Sequence, residues 1–122
     1  MAKTCLIVDD SKIVRKMARR IMEALQYSVD EVENGKEAVT FCEKRKPTLI
    51  LLDWYMPEMD GLEFLKHLRA MEGGTLPKVM FCTTENNREN IMQALAAGAD
   101  EYVMKPFDEE IIKGKLAQVG LL

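Results

Sequence analysis

Four short apolar runs in this sequence each end on side chains that can handle a cation or a phosphate. Asp9 and Asp10 follow residues 4–8, Asp53 follows residues 48–52, Thr83 closes residues 77–83 with Thr84 next, and Lys105-Pro106 follows residues 101–104. Taken singly, each has an ordinary structural reading, since Asp caps helices and a lone Lys is usually solvated. Brought to one place they form a set with a definite chemistry. Three carboxylates a few Å apart raise one another's pKa or force one another apart. A hard divalent cation removes that conflict. Mg2+ takes oxygen ligands, keeps water in its shell and commonly binds one or two carboxylates together with a substrate phosphate. With its charge neutralised, a carboxylate can attack phosphorus and become an aspartyl phosphate. The Lys105 ammonium would then meet the phosphoryl oxygens as a point charge, and the Thr83 hydroxyl would donate a hydrogen bond to them.

These residues meet only if the chain carries them to one edge, and the hydrophobic pattern says that it does. Residues 4–8 and 48–52 are short, nearly continuous apolar runs of the kind that form strands buried on both faces. Residues 28–32, 77–83 and 101–104 supply three further strands. Between them lie helical patterns. The first starts at Ser11, a suitable N-cap, with Ile13, Val14, Met17, Ile21, Met22 and Leu25 recurring at helical spacing. After a turn at Asn34-Gly35, a second helix carries Ala38, Val39, Phe41 and Cys42 to about Arg45 and ends before Pro47. A third follows Asp60-Gly61 with Leu62, Phe64, Leu65 and Leu68 and fades at Gly73-Gly74. A fourth carries Ile91, Met92, Leu95 and Ala96 and stops at Gly98. The last carries Ile111, Ile112, Leu116 and Val119. Five strand–helix alternations joined by right-handed crossovers predict a doubly wound α/β fold with a five-stranded parallel sheet flanked by five helices. In such sheets ligands bind outside the carboxyl ends of the strands, where Asp9, Asp10, Asp53, Thr83 and Lys105 fall.

The 122 residues suffice for one domain, here expected to span 1–122, and leave no room for a second. A content of 48% hydrophobic and 30% charged residues is that of a globular protein. No apolar run approaches the roughly 18 residues of a membrane span, and the N-terminus does not read as a signal peptide, so a cytoplasmic address without membrane insertion is expected. Cys5, Cys42 and Cys82 are odd in number and lack a C-x-x-C spacing, which predicts buried, reduced thiols rather than disulfides or zinc. A net charge of −3 speaks against a nucleic-acid partner. The basic group Arg15, Lys16, Arg19 and Arg20 is expected to form a solvated helix face. Met17, Met22, Met80 and Met92 are expected to fill gaps in the core or at its edge. His67 has no acid–base partner near it in sequence.

Four segments together resemble, in order and spacing, the response-regulator receiver family. They are Leu6-Ile7-Val8-Asp9-Asp10-Ser11, Leu52-Asp53-Trp54-Tyr55-Met56-Pro57-Glu58-Met59-Asp60-Gly61, Thr83-Thr84-Glu85 and Lys105-Pro106-Phe107. The resemblance covers essentially the entire chain and implies the flavodoxin-like strand order 2-1-3-4-5. It further implies that Asp53 is the phosphoacceptor and that Asp10 and Asp53 bind Mg2+ directly. By the same resemblance Asp9 acts through a bound water, the backbone carbonyl of Tyr55 is a further ligand, and the Tyr55 side chain shields the acyl phosphate from water. Thr83 and Tyr102 resemble the family's switch pair, in which the hydroxyl moves toward the phosphoryl group and the aromatic ring fills the space left behind. Pro106 matches a cis-peptide position that sets the direction of Lys105. Arg88, Ile91, Tyr102, Met104 and Lys115 fall on the implied output surface, made of the fourth helix, fifth strand and fifth helix. Trp54, beside the acceptor, is expected to report metal binding by fluorescence.

The function so implied is a stand-alone response regulator of a two-component system. A histidine kinase or histidine phosphotransfer protein supplies the phosphoryl group, and a downstream protein reads the altered surface; the overall similarity suggests chemotaxis and the flagellar motor switch. Because the chain ends soon after the last helix, output is expected by contact, although a receiver cut from a larger regulator stays open. A phosphorelay intermediate or a phosphate sink would use the same site. A Mg2+-dependent phosphatase with an aspartate nucleophile belongs to another class, and such enzymes typically carry a second Asp two residues after the nucleophile as general acid. Tyr55 stands there, so a switch rather than a turnover enzyme is expected. A flavin or nucleotide carrier is opposed by the lack of a Gly-rich phosphate loop and by Asp9-Asp10 at the first strand's end.

Overall fold

A computed structural model describes residues 3–84 and 87–122 and realises the alternation. The order is β1 Lys3–Val8, α1 Lys12–Ala24, β2 Tyr27–Val32, α2 Gly35–Lys44, β3 Leu49–Leu52, α3 Gly61–Ala70, β4 Lys78–Thr83, α4 Arg88–Ala96, β5 Glu101–Met104 and α5 Glu109–Gln118. All strand pairs are parallel, and the sheet runs β2-β1-β3-β4-β5. This is the flavodoxin-like order.

Successive side chains of a strand point to opposite faces, and the core divides accordingly. Cys5, Ile7, Leu49, Leu51, Met80, Cys82 and Val103 face Ala18 and Met22 of α1 and Ile112 and Leu116 of α5. Leu6, Val8, Ile50, Leu52, Val79 and Phe81 face α2, α3 and α4 through Ala38, Cys42, Phe64, Leu65, Leu68 and Ala94. Each large aliphatic or aromatic side chain so buried stabilises the fold by about 1.5–3 kcal/mol. Every helix starts on a side chain that accepts a hydrogen bond from its first turn: Ser11, Asn34, Asp60, Asn87 and Asp108. Such a cap contributes about 1 kcal/mol. The Asn34 cap makes Gly35 the first helical residue of α2, where the sequence suggested a turn.

Helix phase departs from expectation in several places. The stripe that α1 buries is Arg15, Ala18 and Met22, spaced i, i+3 and i+7. Ile13 and Met17 lie off it and are exposed. Met92 and Leu95 of α4 are likewise exposed, as is Ile111 of α5, and α4 buries only Ala94. Met22 and Met80 are core residues, whereas Met17 and Met92 are surface residues. The three cysteines are buried and reduced. Burial pushes the Cys42 thiol up to about 11 and the Cys82 thiol up to about 12, so both behave as small hydrophobes. Among the described residues no helix is long and apolar enough to cross a membrane.

Candidate functional site

The ladder continues one residue past the strands and thereby sets the site. Asp53 N–H donates to the Val8 carbonyl (2.8 Å), Asp9 N–H to the Val32 carbonyl (3.2 Å) and Lys105 N–H to the Thr83 carbonyl (2.9 Å). Asp9 and Asp53 therefore leave the sheet side by side, with Lys105 beside Thr83. The loop after β3 is held close by Gly61. Its N–H donates to the Trp54 carbonyl at 2.8 Å, and a Cβ there would lie 2.1 Å from the Asp53 carbonyl oxygen. Only glycine lets α3 start so near the end of β3.

Asp9, Asp10 and Asp53 each offer a carboxylate oxygen within 4.8 Å of the others. Asp9 and Asp53 are buried and Asp10 is exposed at the mouth. Lys105 Nζ donates to Asp9 Oδ2 at 2.7 Å and to Asp53 Oδ1 at 3.2 Å. Among the described residues, three carboxylates against one ammonium leave an excess of negative charge. Burial pushes the Asp53 carboxyl up, Lys105 opposes that shift and the Asp9 charge adds to it. For Lys105, burial pulls downward, but the hydrogen bond to Asp9 and the two carboxylate charges outweigh it, and its pKa ends above the ordinary value. An all-oxygen donor set, two groups buried and one at the solvent edge, fits a hard divalent cation that keeps part of its water shell.

The other residues singled out from the sequence take these places. Thr83 ends β4 and is buried. Tyr102 on β5 is half-buried against the cluster shared with α3 and α4. The Trp54 ring is buried, 4.9 Å from the Phe81 ring. The Tyr55 side chain is 59% exposed, so it is not part of the core. The Lys105-Pro106 peptide is cis. Arg88 and Met104 are exposed, Ile91 is half-buried, and Lys115 pairs with Glu101 at 3.3 Å. All of these lie on α4, β5 or α5, and β5 is an edge strand. Glu85, quoted in the third motif, lies outside the described residues. His67 is exposed on the α3 surface.

A further expectation, next to the site, needs correction. Arg15 is not part of a solvated face; it is 8% exposed. Its Nη1 donates to the Asp9 carbonyl at 2.6 Å and its Nε to Glu31 Oε1 at 3.1 Å. Arg19 holds the other Glu31 oxygen. The signal for this was present in the helical spacing of Arg15 with Ala18 and Met22, but an Arg in an apolar stripe needs a partner, and that partner comes from β2.

Comparison with known proteins agrees with the geometry. The family model described as response regulator receiver domain matches residues 5–117. A chemotaxis protein CheY of Halobacterium salinarum is 35% identical over 119 residues, covering 98% of this chain and 98% of that protein. The structure of the Vibrio cholerae chemotaxis protein CheY4 superposes with a TM-score of 0.91 at 30% identity, covering 98% of this chain and 99% of that one. The receiver domain of the sensor histidine kinase PA1611 from Pseudomonas aeruginosa PAO1 has a magnesium ion coordinated in its active site cleft. It matches with a TM-score of 0.87 at 26% identity, covering 98% of this chain and 99% of that one.

Proposed function

This chain belongs to the response regulator receiver domain family, and from that premise we propose that residues 1–122 form one CheY-like phosphorylation switch with Asp53 as acceptor. The observation that carries the proposal is the Asp53 carboxylate, buried at the sheet's carboxyl edge between Lys105 and the Asp9-Asp10 pair. In the transfer an Asp53 oxygen attacks the phosphorus of a phosphohistidine on a kinase or a histidine phosphotransfer protein. The new P–O bond forms as the P–N bond breaks, and the imidazole nitrogen keeps the electron pair. Lys105 exchanges one carboxylate contact for a phosphoryl oxygen, and the Thr83 hydroxyl donates to another. Asp9, Asp10, Asp53 and the Tyr55 carbonyl would hold Mg2+, which neutralises the charge that otherwise repels an incoming phosphate.

The readout follows from the same residues. When Thr83 turns toward the phosphoryl group it vacates space that the Tyr102 ring fills, and the surface of α4, β5 and α5 repacks. That α4 buries only Ala94 supports this reading, because little packing opposes its displacement. Arg88, Ile91, Met104 and Lys115 then meet a protein target in the cytoplasm. Similarity to chemotaxis proteins favours a flagellar motor component as that target.

The test is incubation with acetyl phosphate and Mg2+ followed by intact mass measurement and peptide mapping. A gain of one phosphoryl group on Asp53, dependent on the metal and lost in Asp53→Asn, is expected. An unmodified Asp53 under saturating metal would end the proposal.

A further inference from the structure

Asp9 is fixed at every polar atom. Its N–H donates to the Val32 carbonyl at 3.2 Å. Its Oδ1 accepts from Ser11 N–H at 2.9 Å and its Oδ2 from Lys105 Nζ at 2.7 Å. The carbonyl oxygen of Asp9 lies past the end of β1 and accepts from Arg15 Nη1 at 2.6 Å. That carbonyl belongs to the Asp9–Asp10 peptide, so whatever fixes its plane also fixes the direction in which Asp10 leaves the chain. Asp10, exposed at the mouth, has no burial to hold it in place.

The guanidinium that does the fixing is itself oriented. Glu31 on β2 accepts from Arg15 Nε at 3.1 Å and from Arg19 Nε with its other oxygen. Arg19 in turn pairs with Glu23 one turn further along α1, at 3.0 Å. A planar fork held at one edge by a carboxylate presents its remaining N–H groups in a set direction, which a lysine ammonium on a flexible stem does not do. On the surface, water would satisfy the Asp9 carbonyl equally well. At a buried position the loss of its donor leaves an orphaned acceptor, and the cheapest relief is for the peptide to rotate toward solvent.

From this geometry we infer that Arg15 is a positioning residue for the acidic site. It acts through the Asp9 carbonyl to aim Asp10, and Glu31 braces it from the neighbouring strand. The inference rests on the proposed function, since it concerns the cation that Asp9, Asp10 and Asp53 would hold. Groups that orient metal-binding side chains without touching the metal commonly change affinity by about 10–100-fold when removed.

The experiment uses the full chain and Mg2+ alone, with dissociation constants from isothermal titration calorimetry and thermal melts in EDTA to verify folding. Arg15→Met is expected to weaken Mg2+ binding by about tenfold, and Arg15→Lys, which keeps charge but not the fork, by at least about threefold. Glu31→Gln, which can still accept from Arg15, is expected to stay within about threefold of wild type. In the metal-free protein the backbone amide resonance of Asp10 should shift in Arg15→Met and much less in Glu31→Gln, a change that a purely stabilising Arg15 would not cause. If Arg15→Met does not fold, Arg15→Lys decides. A folded Arg15→Lys with Mg2+ affinity and Asp10 amide shift like wild type overturns the inference. A wild-type chain that takes no Mg2+ overturns the proposed function along with it, whereas wild-type binding unchanged by either Arg15 variant overturns the positioning role alone.

Discussion

Replacing Lys105 with methionine removes an ammonium that pairs with two buried carboxylates. Its contacts are 2.7 Å to Asp9 and 3.2 Å to Asp53. At an effective dielectric of about 20, the Coulomb relation assigns roughly 6 and 5 kcal/mol to contacts of this length. Desolvating the ammonium and the two carboxylates costs several kcal/mol per ion and offsets most of that sum, so the net loss should be about 2–4 kcal/mol in metal-free protein at neutral pH. The deficit should depend on conditions in two ways. Mg2+ no longer competes with a fixed cation; tenfold tighter binding by the variant would return about 1.4 kcal/mol at saturation. Acid should also help. Burial already raises Asp53, and losing the opposing Lys105 raises it further. A carboxyl whose folded pKa exceeds its unfolded value gains protons on folding, so stability rises as pH falls from neutral through the folded pKa and levels off below the unfolded one. Urea unfolding followed by circular dichroism, at pH about 7 and 5 and with EDTA or Mg2+, measures each difference. Phosphorylation of the variant should fall even where Mg2+ binds more tightly, because Lys105 is also proposed to meet the phosphoryl oxygens. A deficit of the same size in all four conditions would refute the argument, since it would mean that Lys105 contributes packing and not charge.

Gly61→Ala places a Cβ 2.1 Å from the Asp53 carbonyl oxygen and 2.8 Å from the Phe81 ring. It should cost about 3 kcal/mol or more in urea unfolding and slow modification of Asp53 by acetyl phosphate; a variant as stable as wild type would contradict the close approach of α3 to β3. Arg69 donates to the carbonyls of Gly74, Pro77 and Gly98 and to Asp100 Oδ2. Arg69→Met should therefore destabilise by about 3–5 kcal/mol, with hydrogen exchange rising first near residues 74–78 and 98–100. The hydrogen bond from Arg19, aided by Arg15, lowers the Glu31 carboxyl. A depressed carboxyl contributes stability above its unfolded pKa of about 4.3 that is lost as pH falls through the folded value. The stability gap between wild type and Glu31→Gln should accordingly narrow between pH about 5 and 3, and a constant gap would count against the ion pair.

The alternation of elements was legible because β1 and β3 are continuous apolar runs, as strands buried on both faces must be. The acidic edge was legible for a topological reason. Parallel strands deliver their carboxyl ends to the same rim, so Asp9, Asp53 and Lys105 could be placed together without knowledge of any side-chain packing. Helix phase was less legible. In α1, Ile13 and Met17 recur with the same helical spacing as the buried residues, yet the sheet accepts the stripe of Arg15, Ala18 and Met22 instead. In α4 the apolar residues Met92 and Leu95 face outward, and no local pattern distinguishes an apolar face kept for the surface from one meant for the core.

Arg15 shows where reading along the chain stops. Short side chains such as Asp act where the backbone puts them, so the strand ends alone fix where Asp9 and Asp53 meet. A long side chain acts where its far end is captured, and the capture is made by Glu31, sixteen residues away on β2. A basic run on a helix surface and a buried brace beneath an acidic site have the same local spelling; only the strand packed against α1 separates them. The same reach explains Arg69, whose partners at Gly98 and Asp100 lie about thirty positions further along the chain. In this fold the carboxylates of the site come from topology, while the aim of Asp10 is inferred to depend on Arg15, whose role is decided across the packing layer.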